Sequence, residues 1–396
     1  MHSRVIRQEL TQKLAGKMEA IMEELSLALH DELAKAPQGD NGIVKMNVWN
    51  TTMRVVARTS RNQEYLDAAV HFGITINSTV LKIRFMPALL RPILGPLVMI
   101  PRRRDRNVVA KHLNPIIKER MDIIKEINND ELAAKRLPND VLTSLMFAAR
   151  KEKDSAYEYT PYMLVNRMLA LHFASIYTST LTFTNVLFDL ISLPPEEFEQ
   201  TVASMREEVD NVLKEEGGWT RVAAYKMTLI DSFIKESIRM NGIGAVGLEK
   251  KVIAREGFTF SNGVHVPQNT SLGVPVHGLH HDPEVYPDPD KFDGARFARM
   301  RADTEDTADG AHILREGKKV GMTTTSPDYL PFGHGKHACP GRFFAANELK
   351  LLLAHIVTEY DLLPRARPKP TWVSVIILPD TGAEILMRKR QKPVAV

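Results

Sequence analysis

The segment FGHGKHACPG, residues 332–341, contains the only cysteine in a chain of 396 residues. Four of its ten residues are glycine or proline, so its backbone can turn tightly and approach a large, flat ligand. The residues that follow, RFFAANELKLLLAHIVTEY, have the apolar spacing of a strong helix. Cys339 therefore precedes a predicted helix N-terminus, where unpaired backbone N–H groups and the helix dipole favour an anion such as a thiolate.

The residues around Cys339 leave three interpretations open. A thiolate is a soft ligand suited to iron, and Lys336 and His337 would then face anionic groups of the bound molecule. The thiol also suits nucleophilic catalysis, with His334 or His337 as the base. A lone cysteine is, finally, commonly a buried structural residue.

Composition narrows the class of protein. Lys and Arg number 52 against 48 Asp and Glu, a net charge of +4, which gives no argument for nucleic-acid binding. With one cysteine no intrachain disulfide can form, which indicates a reducing compartment or a cytosol-facing surface. The N-terminal sequence is charged throughout and lacks the apolar region of a secretory signal.

Most of the chain has helical periodicity, and strand signals are few and short. The pattern predicts helices over 4–34, 107–128 and 221–240, a hairpin over 258–266 with an Asn-Gly turn, and a strand over 371–378. The acidic, then Thr/Ser-rich stretch 301–328 is predicted to be a surface loop. Together these patterns predict a mainly α protein with small β-sheets, an α+β fold, in one domain over 1–396.

Two apolar stretches require a membrane test. Residues 168–188 carry no charge over a length that could cross a bilayer. They contain many polar side chains, however, and lipid cannot supply the hydrogen-bond partners that these side chains need. The stretch is therefore predicted to be a buried core helix. Residues 85–104 contain four prolines, too many for a spanning helix. This second stretch is either an apolar loop that rests on an anionic membrane through Arg102, Arg103 and Arg104, or a packed connector with a basic end; the sequence favours neither.

The spacing Phe332-x-x-Gly335-x-x-x-Cys339-x-Gly341 resembles the haem-binding loop of the cytochrome P-450 superfamily, the haem-thiolate monooxygenases. The form FGHGKHACPGRFFA is most similar to fungal members. The resemblance implies a cytochrome P-450-like fold and a haem b cofactor, iron protoporphyrin IX, whose iron takes Cys339 as its axial ligand. The other residues that it assigns to the cofactor-binding loop are Phe332, Gly335, Lys336, His337 and Gly341.

The segment KESIR contains Glu236 and Arg239, three residues apart on one face of a predicted helix. From the residues alone this is an ordinary ion pair of small energetic value. It is similar, however, to the Glu-x-x-Arg motif of the superfamily, which binds an arginine further along the chain. Arg296 in FDGARF stands at the matching place, and the resemblance implies a buried structural triad of the three side chains.

The resemblance also assigns 168–188 to the long helix that crosses the distal face of the haem. Its segment ASIYTS is similar to the family's Ala/Gly-rich, acid-then-Thr sequence. Ala174 and Ser175 would leave room for dioxygen, and Thr178 would hydrogen-bond it and help to deliver protons. Tyr177 stands where the family usually has an acid, and a phenol, which ordinarily titrates at about pH 10, does not relay protons as a carboxylate does.

The segment HGLHHDP, 277–283, contains a possible metal cluster of His277, His280 and His281. Their spacing matches no helical metal pair cleanly. A similar loop is scaffold in the family that the chain resembles, and scaffold is the interpretation that we favour.

The segment GAVGLEKK, 244–251, follows the helix that carries Glu236. The resemblance places its first half in the wall of the substrate pocket and its second half beside the haem. The residues assigned to the substrate pocket are Gly244, Ala245, Val246 and Gly247. Lys250 or Lys251 is expected to meet a haem propionate.

The function that the resemblance implies is oxidation of a lipophilic small molecule, a terpenoid, polyketide or alkaloid, in fungal secondary metabolism. The partners it implies are dioxygen, the substrate and an NADPH-dependent flavoprotein reductase that docks near Lys336, Arg342 and Lys350. Two alternatives stay open. One is a haem-thiolate isomerase or lyase, suggested by Tyr177, and the other is a non-catalytic, truncated remnant without haem.

Compared with the family, the chain is expected to lack the N-terminal membrane anchor, the first strands and a substrate-contacting loop. A full-length form would then lie at the endoplasmic reticulum membrane, on its cytosolic face, whereas this chain shows no anchor of its own. Contact with a membrane surface is a further expectation.

Overall fold

The computed structural model describes residues 5–6, 16, 18–58, 62–127, 130–305 and 320–391. Helices dominate these ranges, as the sequence predicts. In chain order they are α1 (Met18–Lys35), α2 (Val48–Ala57), α3 (Gln63–Phe85), α4 (Arg91–Val98), α5 (Ile100–Ile127), α6 (Asp130–Arg136), α7 (Val141–Arg150), α8 (Ser155–Glu158), α9 (Pro161–His172), α10 (Thr178–Ile191), α11 (Pro195–Glu216), α12 (Arg221–Lys226), α13 (Thr228–Met240), α14 (Val276–His280), α15 (Arg296–Glu305) and α16 (Arg342–Glu359).

The strands form small antiparallel sheets. They are β1 (Ile43–Asn47), β2 (Gly247–Lys251), β3 (Phe258–Thr259), β4 (His265–Val266), β5 (Ser271–Val274), β6 (Tyr360–Leu362), β7 (Thr371–Val373), β8 (Ile376–Leu378) and β9 (Glu384–Lys389). The three-stranded sheet has the order β1-β9-β6, and β2-β5, β3-β4 and β7-β8 are two-stranded. The predicted α+β fold with small sheets is confirmed.

Helix α10 lies at the centre of the main core. Leu181, Val186 and Leu187 are fully buried, and the helix packs against α2 and α13. The prediction of a buried core helix over 168–188 is confirmed, with one difference. A π-helical segment, Phe173–Tyr177, separates α9 from α10, and π turns of this kind are frequent at functional sites. In the part of the chain that the structure describes, no helix is both long and apolar enough to cross a bilayer.

The helix predicted over 221–240 is two helices, because Met227 leaves the helical conformation between α12 and α13. The carboxylate of Glu208 accepts hydrogen bonds from the backbone N–H groups of Leu229 and Ile230, at 2.7 and 3.1 Å. A carboxylate at a helix N-terminus pairs free N–H groups and suits the helix dipole. The break therefore depends on a residue about twenty positions away, which local periodicity does not report.

The two strand predictions differ in outcome. The hairpin over 258–266 is confirmed: β3 pairs with β4, and Gly263 takes a positive φ in the turn. The single strand over 371–378 is wrong, because β7 and β8 form a hairpin of their own, with Val373 opposite Ile376. The reversal occurs at Ser374, whose φ of 58° is unusual for a residue with a side chain.

Three other predicted boundaries change. The helix over 107–128 begins at Ile100, and most of 4–17 lies outside the described residues. Residues 306–319 of the predicted surface loop also lie outside them, but Met322 is fully buried and donates its N–H to Asp231 at 2.9 Å. The end of that loop therefore packs on α13 and is not a surface segment.

Residues 85–104 are helical despite their prolines. Pro92 lies in the first turn of α4, where its missing N–H costs nothing, and Pro101 lies at the second position of α5. No residue of α4 is buried. Most apolar residues of this stretch are exposed, which argues against a packed connector, and its helices differ from the loop of the other interpretation.

Candidate active site

Cys339 lies in a tight loop directly before α16. Gly333 and Gly335 take φ values of 68° and 67°, a left-handed conformation in which a side chain would be strained. The Cys339 N–H donates to the carbonyl of Phe332 at 2.7 Å. Arg342 donates to the Cys339 carbonyl at 2.8 Å and to the Thr323 carbonyl at 3.0 Å. These backbone contacts fix the cysteine just outside the helix N-terminus.

A cavity of about 710 Å³ lies between this loop and the π segment. Cys339, Gly341 and Phe344 form part of one wall, and Ala174 and Thr178 form part of another. Its volume falls within the range of about 300–1,000 Å³ typical of sites for drug-sized molecules. The sequence prediction that Cys339, Ala174, Ser175 and Thr178 share one site therefore agrees with their placement.

The hydroxyl groups of Ser175, in the π segment, and of Thr178, directly after it, are bonded to backbone carbonyls about one turn earlier. The Thr178 hydroxyl donates to the Ala174 carbonyl at 2.7 Å, and the Ser175 hydroxyl donates to the Leu171 carbonyl at 2.9 Å. Such bonds are common for Ser and Thr within helices. Each hydroxyl oxygen keeps its capacity to accept a hydrogen bond from a molecule in the cavity.

Comparison with known proteins agrees with this geometry. The family model of cytochrome P-450 matches residues 1–387. The chain belongs to the cytochrome P-450 family. Cytochrome P-450 monooxygenase 151 of Postia placenta is 35% identical over 99% of this chain and 76% of its own length. Cytochrome P-450 monooxygenase avaL of Aspergillus versicolor is 33% identical over 85% of this chain and 60% of its own length.

The fold also matches a solved structure, the heme domain of a mutant of cytochrome P-450DA. The TM-score is 0.68 at 18% identity, over 98% of this chain and 77% of that one. At this identity the likeness supports the cytochrome P-450 fold. The family membership, by contrast, rests on the family model and on the fungal monooxygenases.

A cytochrome P-450 carries haem, and the residues around the cavity fit that cofactor. Cys339 lines the cavity and would supply a thiolate, the ligand type that pushes electron density onto haem iron. The lining is mostly apolar, with Leu113, Leu142 and Phe344 among its residues, and it can exclude water from a flat, apolar macrocycle. When bound, haem supplies the activation of dioxygen. The chain's own residues would hold the cofactor, shape the space around it and position hydroxyl groups beside it.

The three residues of the predicted triad lie together in the core. The guanidinium of Arg239 donates from Nε and Nη2 to both carboxylate oxygens of Glu236, each at 2.8 Å. Arg296 donates to Glu236 Oε1 at 3.1 Å. Glu236 and Arg239 are fully buried and Arg296 is nearly so. The arginines also bind backbone carbonyls, among them those of His280 and Pro287, so the cluster ties α13 to the segment before α15.

Tyr177 does not line the cavity. Its ring packs edge-on against Trp49, with centroids 5.5 Å apart, and stacks on Phe173 at 6.1 Å. The side chain that replaces the usual acid therefore faces away from Thr178's side of the helix. Its inclusion among the catalytic residues is a prediction that this position does not support.

Other residues of the predicted site also lie outside the cavity lining. These are Gly244, Ala245, Val246, Gly247, Lys250, Lys251, Gly335, Lys336 and His337. The N–H of Ala245 donates to Val375, and the carbonyl of Ala245 accepts from His277, so this turn is held by strand-like contacts. Lys250, Lys251 and Lys336 are exposed. Their roles toward substrate or haem remain predictions.

Lys350 was expected at the reductase-docking surface, and this prediction is wrong. The side chain is buried, its ammonium group lies 2.5 Å from Asp231, and it donates to the Ala224 carbonyl at 3.0 Å. A side chain held in this way is not available to a partner protein. Helical periodicity did not reveal that this face of α16 turns inward.

The HGLHHDP segment makes scaffold contacts. The His280 ring stacks on Tyr329 and accepts a hydrogen bond from the Leu330 N–H at 3.3 Å, while its carbonyl binds Arg239. Burial lowers the pKa of His280 to about 4. Within the described ranges, no group of three His, Cys, Asp or Glu side chains has the arrangement of a metal site.

Sequence reasoning missed two polar pairs at the cavity. Ser179, on its wall, donates to the buried carboxyl of Glu348 at 2.9 Å. His172 and Tyr65, also on its wall, approach each other to 3.4 Å between Nε2 and the phenol oxygen. Each pair joins residues more than a hundred positions apart. In the sequence, Glu348 and His172 are only an acid and a histidine within predicted helices, and nothing in the pattern indicates which residues they contact.

Proposed function

We propose that residues 1–396 form one haem-thiolate domain that oxidises a lipophilic small molecule of fungal secondary metabolism, such as a terpenoid, polyketide or alkaloid. The cofactor is haem b, with Cys339 as the axial ligand. The observation that carries the proposal is the single cavity in which Cys339 faces Ala174, Ser175 and Thr178. Its predominantly apolar lining favours a lipophilic substrate.

The overall reaction inserts one atom of dioxygen into the substrate. A C–H bond becomes C–OH, the other oxygen atom leaves as water, and two electrons and two protons are consumed. The electrons come from NADPH through a flavoprotein reductase. We place the contact with that reductase near Lys336, whose side chain is exposed on the loop that ends at Cys339. Arg342 is committed to backbone carbonyls and would stabilise the loop.

The two alternatives have less support. The isomerase or lyase reading rested on Tyr177, whose ring lies outside the cavity. A remnant without haem would have no need of the tight loop and the open space beside Cys339. The cavity therefore favours a haem-binding monooxygenase.

The location that fits this activity is the cytosolic face of the endoplasmic reticulum membrane. Phe85, Leu89, Ile93 and Leu97 are 58–89% exposed on one surface segment. Exposed basic residues surround them, namely Lys82, Arg84, Arg91, Arg103 and Arg104. An apolar surface bordered by positive charge suits an anionic membrane surface. Flotation with anionic vesicles but not with neutral ones supports this location, and failure to float with either would refute it.

The spectrum of the reduced, CO-treated protein tests the proposed function. We expect the thiolate-type spectrum from the wild-type chain. Cys339→Ser should lose it while the helical circular dichroism persists, because serine keeps the size of the side chain but not the soft ligand. Lys369→Ala, an exposed change outside the cavity lining, is the control and should keep the spectrum. An unaltered spectrum in Cys339→Ser would contradict the assignment.

A further inference from the structure

His172 is a buried histidine in the wall of the cavity, at the last position of α9. It is 6% exposed, and its Nδ1 atom has no hydrogen-bond partner among the described residues. Buried polar atoms are nearly always paired, so an unpaired nitrogen on a residue of the cavity wall points to a ligand group that pairs it. Its ring packs edge-on against Tyr65, with centroids 5.8 Å apart.

The protonation state of His172 follows from its surroundings. Burial lowers its pKa to about 4, so the ring is neutral near pH 7, and burial raises the pKa of Tyr65 to about 12, so the phenol keeps its proton. When the phenol donates to Nε2, the ring proton is on Nδ1, which is then a donor without a partner. In the other tautomer Nε2 donates to the phenol oxygen, Nδ1 is an unpaired acceptor, and the phenol O–H can donate to another group. Either way the pair can bind one neutral oxygen function.

The charged groups near the cavity are already paired. Arg120 binds both carboxylate oxygens of Asp140, at 2.7 and 2.8 Å, and also the hydroxyl of Thr143. His112 lies 2.8 Å from Glu64. These pairs leave a neutral hydrogen-bonding position at His172 beside an apolar wall. That combination selects a neutral, oxygen-bearing ligand over an anion.

We propose that His172, supported by Tyr65, is a specificity-determining residue that binds a hydroxyl or carbonyl oxygen of a lipophilic substrate. This inference rests on the proposed monooxygenase function and deepens it. His172 lies six residues before Thr178, about 9 Å along a helix axis. Because both residues line the same cavity, an oxygen bound at His172 would fix how the substrate lies relative to Thr178. The preceding reaction must leave an oxygen function on the carbon skeleton, so the substrate is an alcohol or ketone and not a bare hydrocarbon.

The test measures binding to the haem-loaded chain by calorimetry with three matched probes: 1-octanol, 2-octanone and octane. A slender, flexible eight-carbon chain does not have to match the natural skeleton in order to enter the cavity beside the haem. The variants are His172→Phe, which keeps a ring but removes the nitrogen, and His172→Asn, whose amide nitrogen occupies roughly the place of Nδ1. For each probe, the affinity of the variant is compared with the affinity of wild type. Differences in hydrophobicity among the probes therefore cancel.

We expect His172→Phe to weaken 1-octanol and 2-octanone about fivefold to tenfold, the usual value of one hydrogen bond, and to leave octane within about twofold. His172→Asn should keep both oxygen-bearing probes within about twofold. Equal losses for all three probes would show a structural role and overturn the inference, as would wild-type protein that binds none of them. The CO spectrum of the same preparations separates the two proposals: an intact thiolate spectrum without selective loss refutes only this one.

Discussion

The Ser179 hydroxyl donates to the Glu348 carboxyl at 2.9 Å, in the core between α10 and α16. These helices bear the two walls of the cavity, and the bond joins them where neither side chain reaches water. Burial raises the pKa of Glu348 to about 7, and the bond from Ser179 only partly opposes that effect. A carboxyl group that prefers to stay neutral thus lies beside the candidate active site.

Glu348 should make the protein less stable as the pH rises. Its folded-state pKa exceeds the ordinary value of 4.5, so the folded chain holds the proton more tightly, and stability falls between about pH 4.5 and 7. Glu348→Gln removes this dependence because the amide is neutral throughout. The free energy of unfolding of the variant, relative to that of wild type, should increase by on the order of 3 kcal/mol from pH 4.5 to pH 8. Urea unfolding at both pH values measures it.

The control for this experiment is Glu249→Gln, a change of an exposed acid on β2. It should leave the pH profile of wild type unaltered. Parallel profiles for wild type and Glu348→Gln would mean that the buried carboxyl is ionised in the folded protein at neutral pH.

Thr178 is expected to control the coupling of electron use to product formation. Thr178→Val removes the hydroxyl from the cavity wall but keeps the shape, so a larger share of the electrons should appear as hydrogen peroxide. We expect a rise of on the order of 10-fold, which is below the roughly 10²–10⁴-fold that a positioned proton-transfer group contributes to rate. Thr178→Ser keeps the hydroxyl and should stay near wild type. Peroxide formed per NADPH consumed is the measurement. Equal ratios in all three proteins would assign the proton handling to another group.

Tyr177 offers a contrasting prediction. An acid at this position would not reach the cavity, because the ring lies between Trp49 and Phe173. Tyr177→Asp should therefore fail to improve coupling and should lower stability by about 3–5 kcal/mol, since it loses aromatic packing and buries a charge. Tyr177→Phe keeps the aromatic packing against Trp49 and Phe173 and should cost less than the aspartate variant. Improved coupling in the aspartate variant would show that the helix rearranges when haem binds.

The Glu236 cluster should be intolerant of single losses. Arg239→Leu leaves the fully buried carboxylate of Glu236 with one arginine, a kind of change that costs about 3–5 kcal/mol. We expect little soluble, haem-loaded protein. Lys35→Leu, which breaks the surface pair with Glu32, should cost less than about 1 kcal/mol. If Arg239→Leu kept the haem content and the melting temperature of wild type, the cluster would contribute no more to stability than a surface ion pair does.

Local sequence predicted the features that depend on short spacing. The Cys339 loop, the Glu236–Arg239 pair and the hairpin over 258–266 each reside within about ten residues. It failed where a distant group decides the outcome. Lys350 looked like a surface cation because its partner Asp231 is far along the chain, and α13 begins where it does because of Glu208.

The cavity residues show the same limit. Ala174, Ser175 and Thr178 were found because a known motif contains them. His172 and Glu348 were passed over because each acquires its chemistry from a partner brought by folding, Tyr65 in one case and Ser179 in the other. Tyr177 entered the predicted site only because it occupies the acid position of that motif, and its ring packs instead against Trp49 and Phe173.

The π segment lets the central helix take up one residue more than an α-helical turn would hold in its place. Removal of one residue from Phe173–Tyr177 would close the turn as a regular α-helix, so α9 and α10 would keep the faces with which they pack. The junction before Thr178 can therefore lose a residue, and so shorten the spacing between His172 and Thr178, without repacking the core around α10.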